Sequence, residues 1–250
     1  MTTRLAYAEA RLAARYAALP AETEWQRLAA ARTLASFLEE ARGGPLEPWV
    51  KGFSALSDGH ELERGLRALA WDLVDEAANW LTDDWRPAAR WVAWIPFLPL
   101  LVFAREGKPL PDWAARGYRL RSLLDDDGAL DPVVLAERGL GALAANGDPA
   151  RIAFDWATEW RRLWPPVRGT PARHLETLVG EVAAHLALFG TLSPSEAWPA
   201  RRTLRERLRL RFHQRVLEPA SLFVYLALVL LDLERLRAEL VTRALFPQAA

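Results

Sequence analysis

The sequence predicts an all-α fold without a sheet, and three observations predict it. Apolar residues recur at three- and four-residue steps along most of the chain. Oxygen-bearing residues stand directly before proline at repeated helix-start signals. No run alternates apolar and polar residues with period two between turn signals. The 250 residues are 51% hydrophobic, which is enough for a sizeable core and too much for a disordered chain.

Taken in order, Leu5, Ala8, Leu12, Tyr16 and Leu19 share one face of a first helix. Trp25, Leu28, Leu34, Phe37, Leu38 and Ala41 continue the pattern until Gly43-Gly44-Pro45 stops it. Leu62, Leu66, Leu69, Leu73, Ala77 and Leu81 define a long helix. Asp83 or Asp84 is then placed to cap the next, with Pro87 in its first turn. Further on, Asp131-Pro132, Asp148-Pro149, Thr170-Pro171 and Ser193-Pro194 each set a cap before proline. The cap oxygen accepts from a free backbone N–H, and proline at the first helical position forfeits no bond there. Ser193 with Glu196 fits a capping box. Gly147, Gly190 and Pro247 read as stops, giving roughly nine or ten helices. The expected organisation is one all-α domain, 1–250. The loops 107–112 and 125–131 are the best boundaries, the first dividing it into sub-bundles 1–106 and 112–250.

Two segments are strongly apolar, 91–104 (WVAWIPFLPLLVFA) and 219–231 (PASLFVYLALVLL). Each falls short of the ~20 residues that cross a bilayer, and Pro96 and Pro99 break the first. Buried core helices are favoured over an exposed contact for a membrane-embedded partner. Arg4, Glu9, Arg11 and Arg15 interrupt any hydrophobic run at the N-terminus, so no signal peptide is expected.

The absence of cysteine excludes disulfides, thiolate metal sites and a cysteine nucleophile. Lys plus Arg and Asp plus Glu both total 32, so no net field draws nucleic acid. Among the four histidines, Glu181 and His185 are four apart on one predicted face, but that spacing is wrong for a Glu-x-x-His di-iron motif and no second copy exists. The Asp125-Asp126-Asp127-Gly128 run fails as a calcium loop, because Leu123 and Val134 would occupy ligand positions. Phosphate loops and nucleophile elbows are absent. Asp127 and Asp131 match the bare acidic spacing of all-α enzymes that hold an isoprenoid-type diphosphate through magnesium. That enzyme is kept as an alternative, although Asp131 already suits a helix cap. No catalytic residue, cofactor or metal is therefore assigned.

Residues 201–215 carry seven arginines against Glu206 alone, with Leu204, Leu208 and Phe212 as a buried stripe. A solvated or ion-paired face is the first expectation, an acidic protein partner or lipid headgroup the second, and nucleic acid the last. Arg201, Arg202, Arg205 and Arg209 are the partner-contact candidates. Of twelve tryptophans, Trp156, Trp160 and Trp164 form a stripe, and Trp80, Trp85, Trp91 and Trp94 gather at one helix junction. Most should be core spacers; Trp91 and Trp94 are added to the contact candidates.

The stretch 204–247 resembles the C-terminal signature of the central-stalk adaptor family of V-type and A-type rotary ATPases, which has eukaryotic and prokaryotic branches. The matching features are Pro219, Tyr225 in an apolar helix, Glu234, Leu236, Arg237, Arg243 and Phe246. Tyr7-Ala8-Glu9-Ala10-Arg11-Leu12 followed by Arg15 is similar to that family's opening helix. The resemblance is to a short, divergent bacterial member. It implies three-helix-bundle units packed in an elongated or funnel-like body, and a non-enzymatic adaptor linking the membrane rotor ring to the central shaft in proton or other ion transport. It implies protein partners, no nucleic acid, and a cytoplasmic chain peripheral to the inner face of the membrane. A generic helical interaction scaffold is the other alternative.

Overall fold

A computed structural model describes residues 2–115, 117–125, 127–144, 148–189, 193–215 and 218–246. Helices occupy 74% of the chain and no strand is present among the described residues; an isolated bridge between Leu124 and Leu130 is the nearest approach to one. The N-terminal helices are α1 (Thr2–Ala17), α2 (Glu22–Ala29), α3 (Leu34–Arg42), α4 (Glu47–Val50) and α5 (Gly59–Ala78). Next come α6 (Arg86–Trp91), a 3-10 turn (Val92–Phe97), α7 (Leu98–Arg105), α8 (Asp112–Ala115), α9 (Tyr118–Arg121), α10 (Pro132–Glu137) and α11 (Gly141–Ala144). The series closes with α12 (Ile152–Arg162), α13 (Thr170–Phe189), α14 (Pro194–Gln214) and α15 (Pro219–Leu245). Nine of these have eight residues or more: α1, α2, α3, α5, α7 and α12 to α15. The additional short helices span a turn or two, which is too few residues to show a periodicity.

Most caps follow the sequence. Asp131 Oδ1 accepts from the amides of Val133 and Val134 (2.8 and 3.2 Å), and Asp148 Oδ1 from that of Ala150 (2.9 Å). Glu196 Oε2 accepts from the Ser193 amide at 3.0 Å, the reciprocal half of the expected box. Gly43 caps α3. Three expectations change. The pattern from Trp25 to Ala41 is two helices, α2 and α3, because Thr33 caps a new start by accepting from the Ser36 amide. Asp83 does not cap α6: it pairs with Arg86 at 2.7 Å, and Trp85 holds the cap position. Thr170 is already inside α13, and its hydroxyl accepts from the Arg173 guanidinium (3.0 Å). The expected stops Gly147, Gly190 and Pro247, and the side chain of Leu5, lie outside the described residues.

The core is built around α15. Its first half is apolar on every side, and residues 220–226 and 228–233 are all buried. A helix that is apolar all round must be enclosed by others. α5, α14, α13, α1 and α3 enclose it. Buried apolar residues from Ala8 to Leu240 form one connected cluster, and helices from both sides of 107–112 interleave, so that loop does not divide the packing.

Candidate functional site

α14 meets α15 along the arginine-rich stretch. Leu204, Leu208 and Phe212, four residues apart, are buried and turn toward the core. That orientation decides the fate of each arginine. Arg201 lies beside the stripe, is 9% exposed and donates to Glu234 Oε1 (2.7 Å). Arg205 clamps Asp232 through Nε and Nη2 (2.7 and 3.1 Å) and also donates to the Pro20 carbonyl (2.7 Å), tying the α1–α2 connection to both helices. Arg209 is exposed and approaches the Tyr16 hydroxyl at 3.4 Å. Arg202 is exposed and forms no ion pair among the described residues. Of the four arginine candidates, Arg201 and Arg205 therefore pair with acids of the chain's own α15, and Arg202 and Arg209 stay at its surface.

The tryptophan candidates divide similarly, and Trp91 is a correction. It is 5% exposed, donates its indole N–H to the Trp156 carbonyl (3.0 Å) and accepts the Trp156 indole on its own carbonyl (3.3 Å). This reciprocal pair joins α6 to α12 and leaves Trp91 no surface to offer a partner. Trp94 is half-buried, edge-on to Trp71 and Phe97 with centroids 5.1 and 5.7 Å away.

α15 carries charges where a buried helix ought not to. Asp232 is fully buried; burial pushes its carboxyl above the usual range, while the hydrogen bond and charge of Arg205 pull the other way. Glu63 of α5 lies between Arg237 of α15 and Arg67. Burial works to raise its pKa, but the two guanidiniums outweigh that and hold it below 4.5. Burial also pushes Tyr225 up to about 12. Arg235 donates to Glu22 (2.8 Å), and its guanidinium sits 4.7 Å from the Trp25 ring and 5.6 Å from that of Trp198. That hydrogen bond, more than its own desolvation, holds Glu22 below the usual carboxylate range.

Of these groups Asp232, Arg235 and Glu22 line an open cleft of about 130 Å³ between α14, α15 and the start of α2. Its lining includes Arg201, Arg202, Arg205 and Arg235 against Glu22, Asp232 and Glu239, with Trp198 and Leu231 supplying apolar surface. Three of the arginines singled out in the sequence thus meet in one concavity. Arg235, Glu22, Asp232 and Trp198 were not singled out. Asp232 had a signal in the sequence: one acid inside LVLLDL demands a buried cation.

Other groups do not converge. Asp127 is exposed at a turn, and the Asp131 carboxylate is occupied by the amides of α10, so the pair does not face a common metal position. No group of three or more metal-ligating residues occurs among the described residues. His174 Nδ1 lies 2.6 Å from Glu218, His213 Nε2 lies 3.2 Å from Tyr16, and His60 stacks on Trp113. Among the described residues one helical stretch, Arg86–Arg105, is long and apolar enough to cross a membrane by length and composition, being extended beyond 91–104 by α6. Half of it is buried inside the protein. No family model, curated protein or solved structure matches the chain.

Proposed function

We propose that this chain is a non-catalytic helical connector, and specifically an adaptor of the kind its sequence resembles, between a membrane rotor ring and a central shaft. The observation that carries this reading is the meeting of the two resembling stretches around α15. Ser221 hydrogen-bonds Glu9 (3.2 Å), and Tyr16 of α1 stacks on Phe212 with centroids 4.1 Å apart. Tyr225 is buried, Glu234 holds Arg201, Arg237 holds Glu63, and Arg243 reaches the Ala31 carbonyl (2.9 Å). The matching residues thus fasten one helical body together. A part that passes torque needs such stiffness and two faces, with no reacting group. The half-buried Trp94 and the exposed Arg202 and Arg209 are the contact candidates left on its surface.

The test uses the tagged chain expressed in its own source cells, with membranes solubilised in mild detergent and co-purified proteins identified by mass spectrometry. The reading predicts rotor-ring and central-shaft subunits of a rotary ATPase in stoichiometric amounts. Recovery of the chain free of every ATPase component would contradict it.

A further inference from the structure

We infer that the cleft between α14, α15 and the start of α2 binds a phosphate group, either free inorganic phosphate or the headgroup of a small monoester. This stands apart from the connector reading and does not require it.

Size comes first. At about 130 Å³ the cleft has roughly ten times the room a single water needs, yet lies below the ~300 Å³ at which drug-sized pockets begin. A tetrahedral oxyanion suits that interval.

Charge comes next. The chain uses arginine almost everywhere, so residue type decides little; position decides more. The cleft lining holds four guanidiniums and three carboxylates. Each carboxylate already has a cation: Asp232 has Arg205, Glu22 has Arg235, and Glu239 has Arg243 at 2.6 Å. Arg202 is left with no ion pair among the described residues, so the wall carries an uncompensated positive charge. Arg205 keeps Nη1, and Arg235 keeps Nη2, outside any hydrogen bond or ion pair among the described residues. Guanidinium N–H groups left open in this way are the donors from which a multi-oxygen anion accepts charge-assisted hydrogen bonds.

The donors are also held rigidly. The Arg235 guanidinium is held between Trp25 and Trp198, and Arg205 is fixed by Asp232 and the Pro20 carbonyl. Donors that are already ordered lose little freedom on binding. The depressed pKa of Glu22 reports the same positive field, to which Arg235, Arg205 and Arg202 all contribute.

The experiment titrates the full chain calorimetrically in a buffer of fixed chloride, with inorganic phosphate, with glycerol phosphate, and with phosphatidylcholine vesicles with and without phosphatidic acid. The inference predicts one saturable site for the soluble phosphates. It predicts about tenfold weaker binding in Arg202→Gln, an exposed position whose change leaves the fold intact by circular dichroism. Glu22→Gln, which removes the competing carboxylate, tightens binding. Vesicle binding that soluble phosphate displaces assigns the headgroup as a source. Unsaturable heats, equal affinity in Arg202→Gln, or vesicle binding that soluble phosphate does not displace would each overturn it.

Discussion

Asp232 is the residue on which local stability turns most sharply. Its carboxylate is fully buried and meets Arg205 at two nitrogens. Removing one partner of such a pair strands the other charge, a larger effect than the pair's net worth. Asp232→Ala should therefore cost about 3–5 kcal/mol, read as a lowered midpoint in urea. A loss near zero would mean that Arg205 finds another acceptor. Glu63 sets an acid limit. Its folded pKa lies below the ordinary 4.5 because Arg237 and Arg67 overcome burial. Its contribution is thus fully present above that value and fades as pH falls through the lower, folded one. Stability measured between roughly pH 5 and pH 3 should drop more steeply in the wild type than in Glu63→Gln. Parallel profiles would contradict the assignment. Sequence reached these residues unequally. The step of Leu204, Leu208 and Phe212 showed which side of α14 is buried, because helical phase is local. The partners of Arg205 were not legible, since Asp232 and Pro20 lie 27 and 185 positions away. Trp91 was misassigned because an aromatic at a helix junction suits a wall or a core equally, and only tertiary packing tells the two apart.

At the scale of elements, α15 is the test of burial. It is 27 residues long, about 40 Å, and its first half has no exposed face. The apolar run that could have been read as a contact for a membrane partner is instead wrapped by other helices. Leu228 is fully buried in it. Leu228→Ala should cost about 2–5 kcal/mol, because the surrounding helices close the cavity only in part. Leu210→Ala on α14, 61% exposed, should stay within about 0.5 kcal/mol. Similar losses at the two positions would mean that α14 is turned differently on α15. Cap signals at Asp131, Asp148 and Ser193 were readable because cap chemistry spans three residues. The start of α6 was not: two acids precede it, and the sequence cannot tell a cap from an ion pair with Arg86.

The whole molecule is one core with the chain's two ends drawn together. Residues 212 positions apart meet at Ser221 and Glu9 and again at Arg243 and Ala31. Contacts of such long sequence separation make the core a product of the full chain and slow its assembly. All-α class was legible because periodicity repeats in every segment, whereas the interleaving of both halves was not, because it depends on α15 returning between α5 and α14. Native-state hydrogen exchange along α15 tests the account most directly. A rigid body organised on this helix predicts that the amides of residues 222–236 exchange only by global unfolding, with the largest protection in the chain. Exchange of those amides through a lower-energy local opening, while α5 and α12 stay protected, would contradict it.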